Sequence, residues 1–391
     1  LSIYDKLSAD THRLKTSQNL LGFSGGVDSV GLFFILQHLN IPFDIAIINY
    51  HTREQSLQEV AYAKQLSTTY HKKCFVKDAP LGFTSNFESQ ARQIRYAFFD
   101  EIIVNHQYTH LILAHQLNDH FEWILMQFAK GAGLGNLVGF DTQRKTPQGD
   151  YKIIRPLAMI PKNDIYQYCF DNALTFFEDE SNQDMRFKRN FFRKNFSDPF
   201  IQAFPNGVAK SLLYLQEDKN ILLNLIKPKY LELSWKDLNK SNQKYRIFSI
   251  NKKHLEKKAY LVLLHVDKIA KELGCVLSQS QRQEIIRTHF SCEIQHRLII
   301  THNTHCIFIT HKINEDVICA DMGKKVMLLP MNKSFKQKCG NLKIPPKLRK
   351  PLWLIFCASN MLDSHCDNAK DYYFKTKINI FFKQFGNFFT P

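Results

Sequence analysis

The chain has no uninterrupted apolar stretch approaching the roughly 18 residues of a membrane span. Its opening segment, LSIYDKLSADTHRLK, lacks the apolar core of a secretory signal. Neither bilayer insertion nor export is expected, and the cytoplasm is the expected location. The nine cysteines are odd in number, scattered and never spaced C-x-x-C. That usage excludes a cysteine-built metal cage and a disulfide framework, and it suits reduced thiols. No internal repeat is evident. Acidic residues are scarce, 36 Asp and Glu against 52 Lys and Arg, which leaves a formal net charge of +16 and a pI near 9.3. Finally, the adjacent glycines Gly25-Gly26 are not followed by lysine, so the G-x-x-x-x-G-K-[ST] loop of kinases and GTPases is excluded.

What is present is enough for several cores: 391 residues at 44% hydrophobic content, with two or three domains as the expectation. The basic excess points to a polyanion such as RNA. A coding bias toward lysine, consistent with abundant Lys, Asn, Phe and Ile, accounts for about half of that argument.

The first half alternates strand-like and helix-like runs. After the apolar run from Asn19 and the helix behind the glycines come FDIAIINY, then REQSLQEVAYAKQLSTTY with Leu57, Val60, Ala61 and Leu66 at helical spacing. KCFVKD and HLILAH read as strands, and NFESQARQIRYAFFDEIIVN as a helix with Phe87, Ala91, Ile94, Phe98 and Ile102 on one face. Repeated β-α units with fully apolar strands predict a parallel sheet between helices, with its ligand beyond the strand carboxyl ends. From about Asp198 long helical patterns take over, and beyond His311 to Val317 short strand-like runs, KKVMLLP and PLWLIFC, suggest a small third domain. The phenylalanine-rich tail INIFFKQFGNFFTP reads as a docked terminal strand or helix.

Between the first strand and its helix lies Ser24-Gly25-Gly26-Val27-Asp28-Ser29. Two glycines bare the backbone, two hydroxyls flank it, and the following helix start supplies unpaired N–H groups, which together make an anion cradle. An ordinary turn capped by Asp28 or Ser29 is the plain alternative. The six residues resemble the pyrophosphate loop of the ATP pyrophosphatases, which split ATP between its α and β phosphates. The resemblance implies that Ser24, Gly25, Gly26, Val27, Asp28 and Ser29 bind ATP, with Mg²⁺ and Asp28 as a contact to it.

Further motifs follow in order. FESQARQIRYAFF carries Glu88, Arg92, Arg95 and Tyr96; AHQLNDHFEWILMQFAKGAGLGNLVGF carries His115, Asp119, Glu122, Gly131 and Gly133; FEDESNQDMRFKRNFFRKNF carries Glu178, Asp179, Ser181, Asn182, Asp184, Arg189, Asn190 and Arg193. Arg186, Arg189 and Arg193 share one helical face. Near the end, KSFKQKCGNLKIPPKLRKPLWLIF carries Lys343, Pro345, Pro346, Arg349 and Leu352. Together these are similar to the motifs of the tRNA(Ile)-lysidine synthetases. Asn118 and Trp123 depart from that pattern, where an aspartate and a threonine are usual, and Tyr50 stands at a histidine position with His51 one place on, although Arg53 and Ser56 match.

The resemblance implies an α/β fold: a parallel-sheet PP-loop domain (adenine nucleotide alpha hydrolase-like) over residues 1–197, a helical middle domain over 198–312 and a small α+β domain over 313–391, the latter two binding tRNA. It implies ligation of free L-lysine to C2 of the wobble cytidine in the CAU anticodon of tRNA(Ile), through an adenylated cytidine, with AMP and pyrophosphate released. Asp28, Asp119 and Arg189 are the implied catalytic residues, Asp119 as base or orienter. Substrate and tRNA contacts fall to Glu88, Arg92, Arg95, Tyr96, His115, Glu122, Glu178, Asp179, Asn182, Asp184, Asn190, Arg193, Lys343 and Arg349. The oligomeric state stays open, a dimer being one option. Rival readings are a thiolase on the same loop, which needs a reactive cysteine pair, and a basic RNA-binding protein with a degenerate nucleotide site.

Overall fold

Asn19–Gly22 forms strand β1, and the chain turns through the glycines into α1 (Val27–His38). The computed structural model describes residues 2–51, 55–80, 87–140, 142–145, 150–178, 188–236, 242–312, 331, 333–361, 372–385 and 388–389. Within these the expected alternation holds: β2 (Asp44–Asn49), α2 (Gln55–Thr69), β3 (Cys74–Asp78), α3 (Phe87–His106), β4 (His110–Ile112) and α4 (Leu117–Phe128). A short α5 (Leu134–Leu137) precedes two strands the sequence pattern did not reveal, β5 (Gln143–Lys145) and β6 (Asp150–Ile154). Then follow α6 (Lys162–Asp171), α7 (Lys188–Phe192), a π turn (Arg193–Ser197), α8 (Asp198–Ala203) and α9 (Pro205–Asn224).

The first sheet has the order β3-β2-β1-β4-β6-β5. Every pairing is parallel except β5 with β6. Both faces are buried, one by Val30, Phe33, Leu36 and Ile165, the other by Tyr96, Phe99, Ile102 and Ile103. This is why the strands read as continuous apolar runs.

The region expected to be helical is in large part sheet. Strands β7 (Lys229–Lys236), β8 (Asn242–Asn251), β9 (Cys292–Ile294), β10 (Leu298–His302) and β11 (Cys306–His311) pair antiparallel in the order β7-β8-β11-β10-β9. The helices α10 (Leu255–Glu272) and α11 (Gln279–Arg287) interrupt them. Beyond lie α12 (Lys333–Asn341), α13 (Pro346–Met361) and α14 (Tyr372–Lys383). PLWLIFC is therefore helical and not a strand: Leu348, Leu352, Ile355 and Phe356 are buried at helical spacing. KKVMLLP lies outside the described residues.

Alternate residues of the second sheet enter two cores. Phe248, Ile250, Ile300 and Ile307 pack with Val262, Val266 and Ile269 of α10, while Tyr245, Ile247 and Phe308 pack with Phe335, Phe356 and Phe381 of α12 to α14. The tail docks here through Phe382, Phe385 and Phe389. Residues 231–308 and 331–389 thus share one core. The chain forms two compact units, Leu1–Ala129 with Gly139–Leu215, and Lys130–Val138 with Gln216–Pro391, where three domains were expected. Among the described residues no helix is long and apolar enough to cross a membrane.

Candidate active site

The loop after β1 is closed by its own hydroxyls. Ser29 Oγ donates to the Gly26 carbonyl (3.0 Å) and accepts from the Ser24 N–H (3.2 Å), and the two serine Oγ atoms lie 3.2 Å apart. Gly25 has φ +78°, and a Cβ there would meet Glu59 at 3.2 Å and Phe177 at 3.3 Å. The Phe177 N–H donates to the Gly25 carbonyl (3.0 Å), so the segment leading to Glu178 seats the loop from outside. The helix N-cap is Gly26, without a side-chain cap. Asp28 and Ser29 are inside the helix and not its caps.

Asp28 therefore has another place in the site. Its Oδ1 is out of contact with solvent and has no hydrogen-bond partner among the described residues. Burial, then the Asp119 carboxylate, push its pKa up to about 7, against Lys162 and Arg193. A buried carboxyl oxygen facing a second carboxylate suits a divalent cation, and Mg²⁺ commonly takes one or two carboxylates and completes its shell with phosphate oxygens and water. Among the described residues no group of three or more His, Cys, Asp or Glu could hold a metal.

Opposite stands α4. Gln116 caps it by accepting from the Asn118 and Asp119 N–H groups, and Asp119 Oδ2 accepts from the Gln116 N–H (3.3 Å). Asp119 Oδ1 accepts from Nη2 of Arg189 (3.2 Å) and of Arg193 (3.1 Å). One turn on, Glu122 accepts from Nε of both arginines, Arg193 at 2.8 Å. Two helices thus meet through four charges. Burial pushes Asp119 upward, but Arg189, His115 and Arg193 hold it below the usual carboxylate range. Burial raises Glu122, and the same arginines only partly offset it. His115 is driven down to about 3 by burial, against the pull of Asp119. Arg155 Nε donates to its Nδ1 (3.3 Å), which makes it a neutral imidazole with the proton on Nε2.

Other expected residues are distributed differently. Glu178 Oε1 accepts from the Tyr166 hydroxyl (3.2 Å) beside the loop. Arg95 Nε donates to the Tyr50 hydroxyl (3.3 Å), which itself donates to the Ala91 carbonyl, so Tyr50 holds α3 where a histidine is usual. Tyr96 is a core residue: the Arg92 and Arg144 guanidinium groups cover its ring at 4.8 and 4.7 Å. Asn190 is buried in α7. The α3 backbone includes Glu88, whereas Arg53, Asp179, Ser181, Asn182, Asp184 and Arg186 lie outside the described residues. Gly131 and Gly133 belong to the second unit, and Gln279 Oε1 lies 2.8 Å from where a Gly131 Cβ would be. Lys343 and Arg349 are in that unit too; Arg349 Nε donates to the Ile344 carbonyl (3.0 Å), and Lys343 Nζ lies 3.3 Å from His305 Nε2.

Sequence reasoning missed Arg155 and Lys162. The signal for Arg155 was a cation directly after Ile153-Ile154, at the carboxyl end of β6 where ligands bind.

A PP-loop domain family matches residues 2–198. The chain is 45% identical to the tRNA(Ile)-lysidine synthase of Helicobacter hepaticus, over 99% of this chain and 94% of that protein. The enzyme of the same name from Helicobacter pylori is 40% identical over 88% and 91%, and that of Wolinella succinogenes 37% over 87% and 94%. At 45% identity over nearly the whole of both chains, the chain belongs to the tRNA(Ile)-lysidine synthase family.

Proposed function

We propose that this chain activates the wobble cytidine of a CAU-anticodon tRNA(Ile) with ATP and couples it to free lysine, using the loop and the Asp119–Glu122–Arg189–Arg193 cluster. The observation that carries the reading is Asp28, whose Oδ1 is shut off from solvent and has no hydrogen-bond partner among the described residues. Such a group costs stability and is intelligible as a place for the cation that accompanies a triphosphate.

The cytidine O2 attacks the α-phosphorus of ATP and pyrophosphate leaves. The Ser24–Ser29 loop receives the leaving group with the backbone N–H groups at the helix start, while the Ser24 N–H and the Ser29 hydroxyl, committed within the loop, hold its shape. Asp28, facing Asp119, would hold Mg²⁺, which when bound shields the phosphate charge. Arg189 is more exposed than Arg193, 43% against 19%, and is the guanidinium able to reach a phosphate oxygen while Arg193 keeps Glu122 neutralised.

In the second step the lysine ε-amine attacks C2 and AMP leaves. Asp119 is held below the ordinary range, so it is a weak base. Its role is to orient the incoming amine. His115, neutral and carrying its proton on Nε2, is a hydrogen-bond donor across the working pH range.

A thiolase reading finds no support in the thiol nearest the loop: Cys169 is buried, donates to the Val27 carbonyl and has its pKa pushed up to about 11. The test is nucleoside analysis of CAU-anticodon tRNA incubated with the protein, ATP and labelled lysine. Labelled lysidine with AMP and pyrophosphate is expected. Release of pyrophosphate without lysine incorporation would reject the lysine step, and no tRNA-dependent pyrophosphate would reject catalysis.

A further inference from the structure

Asn118 stands where the family resemblance leads one to expect an aspartate, and its amide is engaged on both sides. Nδ2 donates to Asp198 Oδ1 at 2.7 Å, and Oδ1 accepts from the Lys162 N–H at 3.1 Å. Only this orientation satisfies both partners, since a carboxylate needs a donor and an N–H needs an acceptor. Asn118 is buried, 8% exposed. It therefore joins three helix starts: its own, one residue before Asp119; that of α6, whose Lys162 opposes the upward pull on Asp28; and that of α8, directly behind the turn that carries Arg193.

We infer that Asn118 and Asp198 form a matched positioning pair that sets α4 in register against the arginine-bearing helix, and that the amide at 118 is required because the partner at 198 is already a carboxylate. An aspartate at 118 could still accept from Lys162, but it would confront Asp198 across 2.7 Å with like charge. The family's usual residue is thus the wrong one in this chain. Exchanging the two residues restores the bond with its polarity reversed: the carboxylate introduced at 118 accepts from Lys162 and from the amide introduced at 198.

The inference rests on the proposed reaction, and it is tested by lysidine formation on full-length tRNA with the wild type, Asn118→Asp, Asp198→Asn and the double exchange Asn118→Asp/Asp198→Asn. Asn118→Asp is expected to lower kcat by about tenfold or more, as small misplacements of catalytic groups do, with the KM for ATP changed by less than about threefold. The double exchange should return kcat to within about threefold of wild type, a non-additivity that a generic structural defect would not give. Melting temperatures of the four proteins form a second cycle that needs no reaction, with Asn118→Asp lowered and the exchange restored. Wild-type or higher turnover by Asn118→Asp overturns the inference. So does a double exchange that regains no turnover, whether or not its melting recovers. A wild type that makes no lysidine counts against the reaction alone, and the melting cycle then decides the pair.

Discussion

Asp28 carries a charge that its surroundings oppose, and this separates its contribution to activity from its contribution to stability. Its pKa rises from an ordinary 3.8 to about 7 in the fold. A carboxyl raised in this way binds its proton more tightly when folded, so stability is fully present below about pH 4 and is lost as pH climbs to 7, on the order of 1 kcal/mol per pH unit. Asp28→Asn removes that loss. The variant should melt above wild type at pH 8, match it near pH 4, and form no lysidine; thermal scans at the two pH values check the sign, and a variant that melts lower at pH 8 contradicts it. The arginines divide similarly. Glu122 is almost fully buried, and Arg193 is the less exposed of its two partners. Arg193→Ala should cost about 2–3 kcal/mol, somewhat below a fully broken buried pair because Arg189 remains. Arg189→Ala should cost about 1 kcal/mol or less in stability yet lower kcat far more. Denaturant melts beside turnover assays distinguish this from a shared structural role.

Elements were legible where burial pattern and local chemistry agreed. The runs at β1, β2 and β4 are apolar because both faces of the sheet are covered, and α3 shows its stripe at helical spacing. The loop was legible from its whole six-residue run, Ser24 to Ser29, since a glycine pair alone also fits an ordinary capped turn. Gly25→Ala should lower the melting temperature and abolish ATP-dependent pyrophosphate release, since φ +78° disfavours any side chain and the new Cβ would press on Glu59 and Phe177. Gly26→Ala, with neighbours no nearer than 3.6 Å, should fold normally and lose ATP affinity alone. Equal melting losses in both would reject the close-approach argument. The second sheet was illegible for a physical reason: β8 contributes Tyr245 and Ile247 to one core and Phe248 and Ile250 to the other, so no polar alternation marks it. Lys162 and Asp198 gave no signal because their part depends on helix starts that only the fold brings to Asn118.

At the scale of the molecule, the shared core of the second unit determines how tRNA binding outside the anticodon can be tested. Removing the chain beyond Val317 would take away Phe335, Phe356 and Phe381, on which Tyr245, Ile247 and Phe308 pack, and would expose one face of the antiparallel sheet. Loss of tRNA binding by such a truncation would report unfolding. Surface charge offers a cleaner test. Lys343 and Lys347 are exposed, with Nζ atoms 3.3 Å from His305 Nε2 and 3.5 Å from Ser291 Oγ, so they can be altered without opening the core. If the second unit grips the tRNA backbone, Lys343→Glu/Lys347→Glu should weaken binding of full-length tRNA and reduce the slope of log K against log[salt] by about one for each phosphate left without its lysine. If these lysines contact the tRNA outside its anticodon, an isolated anticodon stem-loop should bind and react as with wild type. With kcat at saturating full-length tRNA unchanged, the effect would belong to binding alone. An equal effect on both substrates would instead place these lysines beside the anticodon, and an unchanged salt slope would show that the +16 charge of the chain is spent elsewhere.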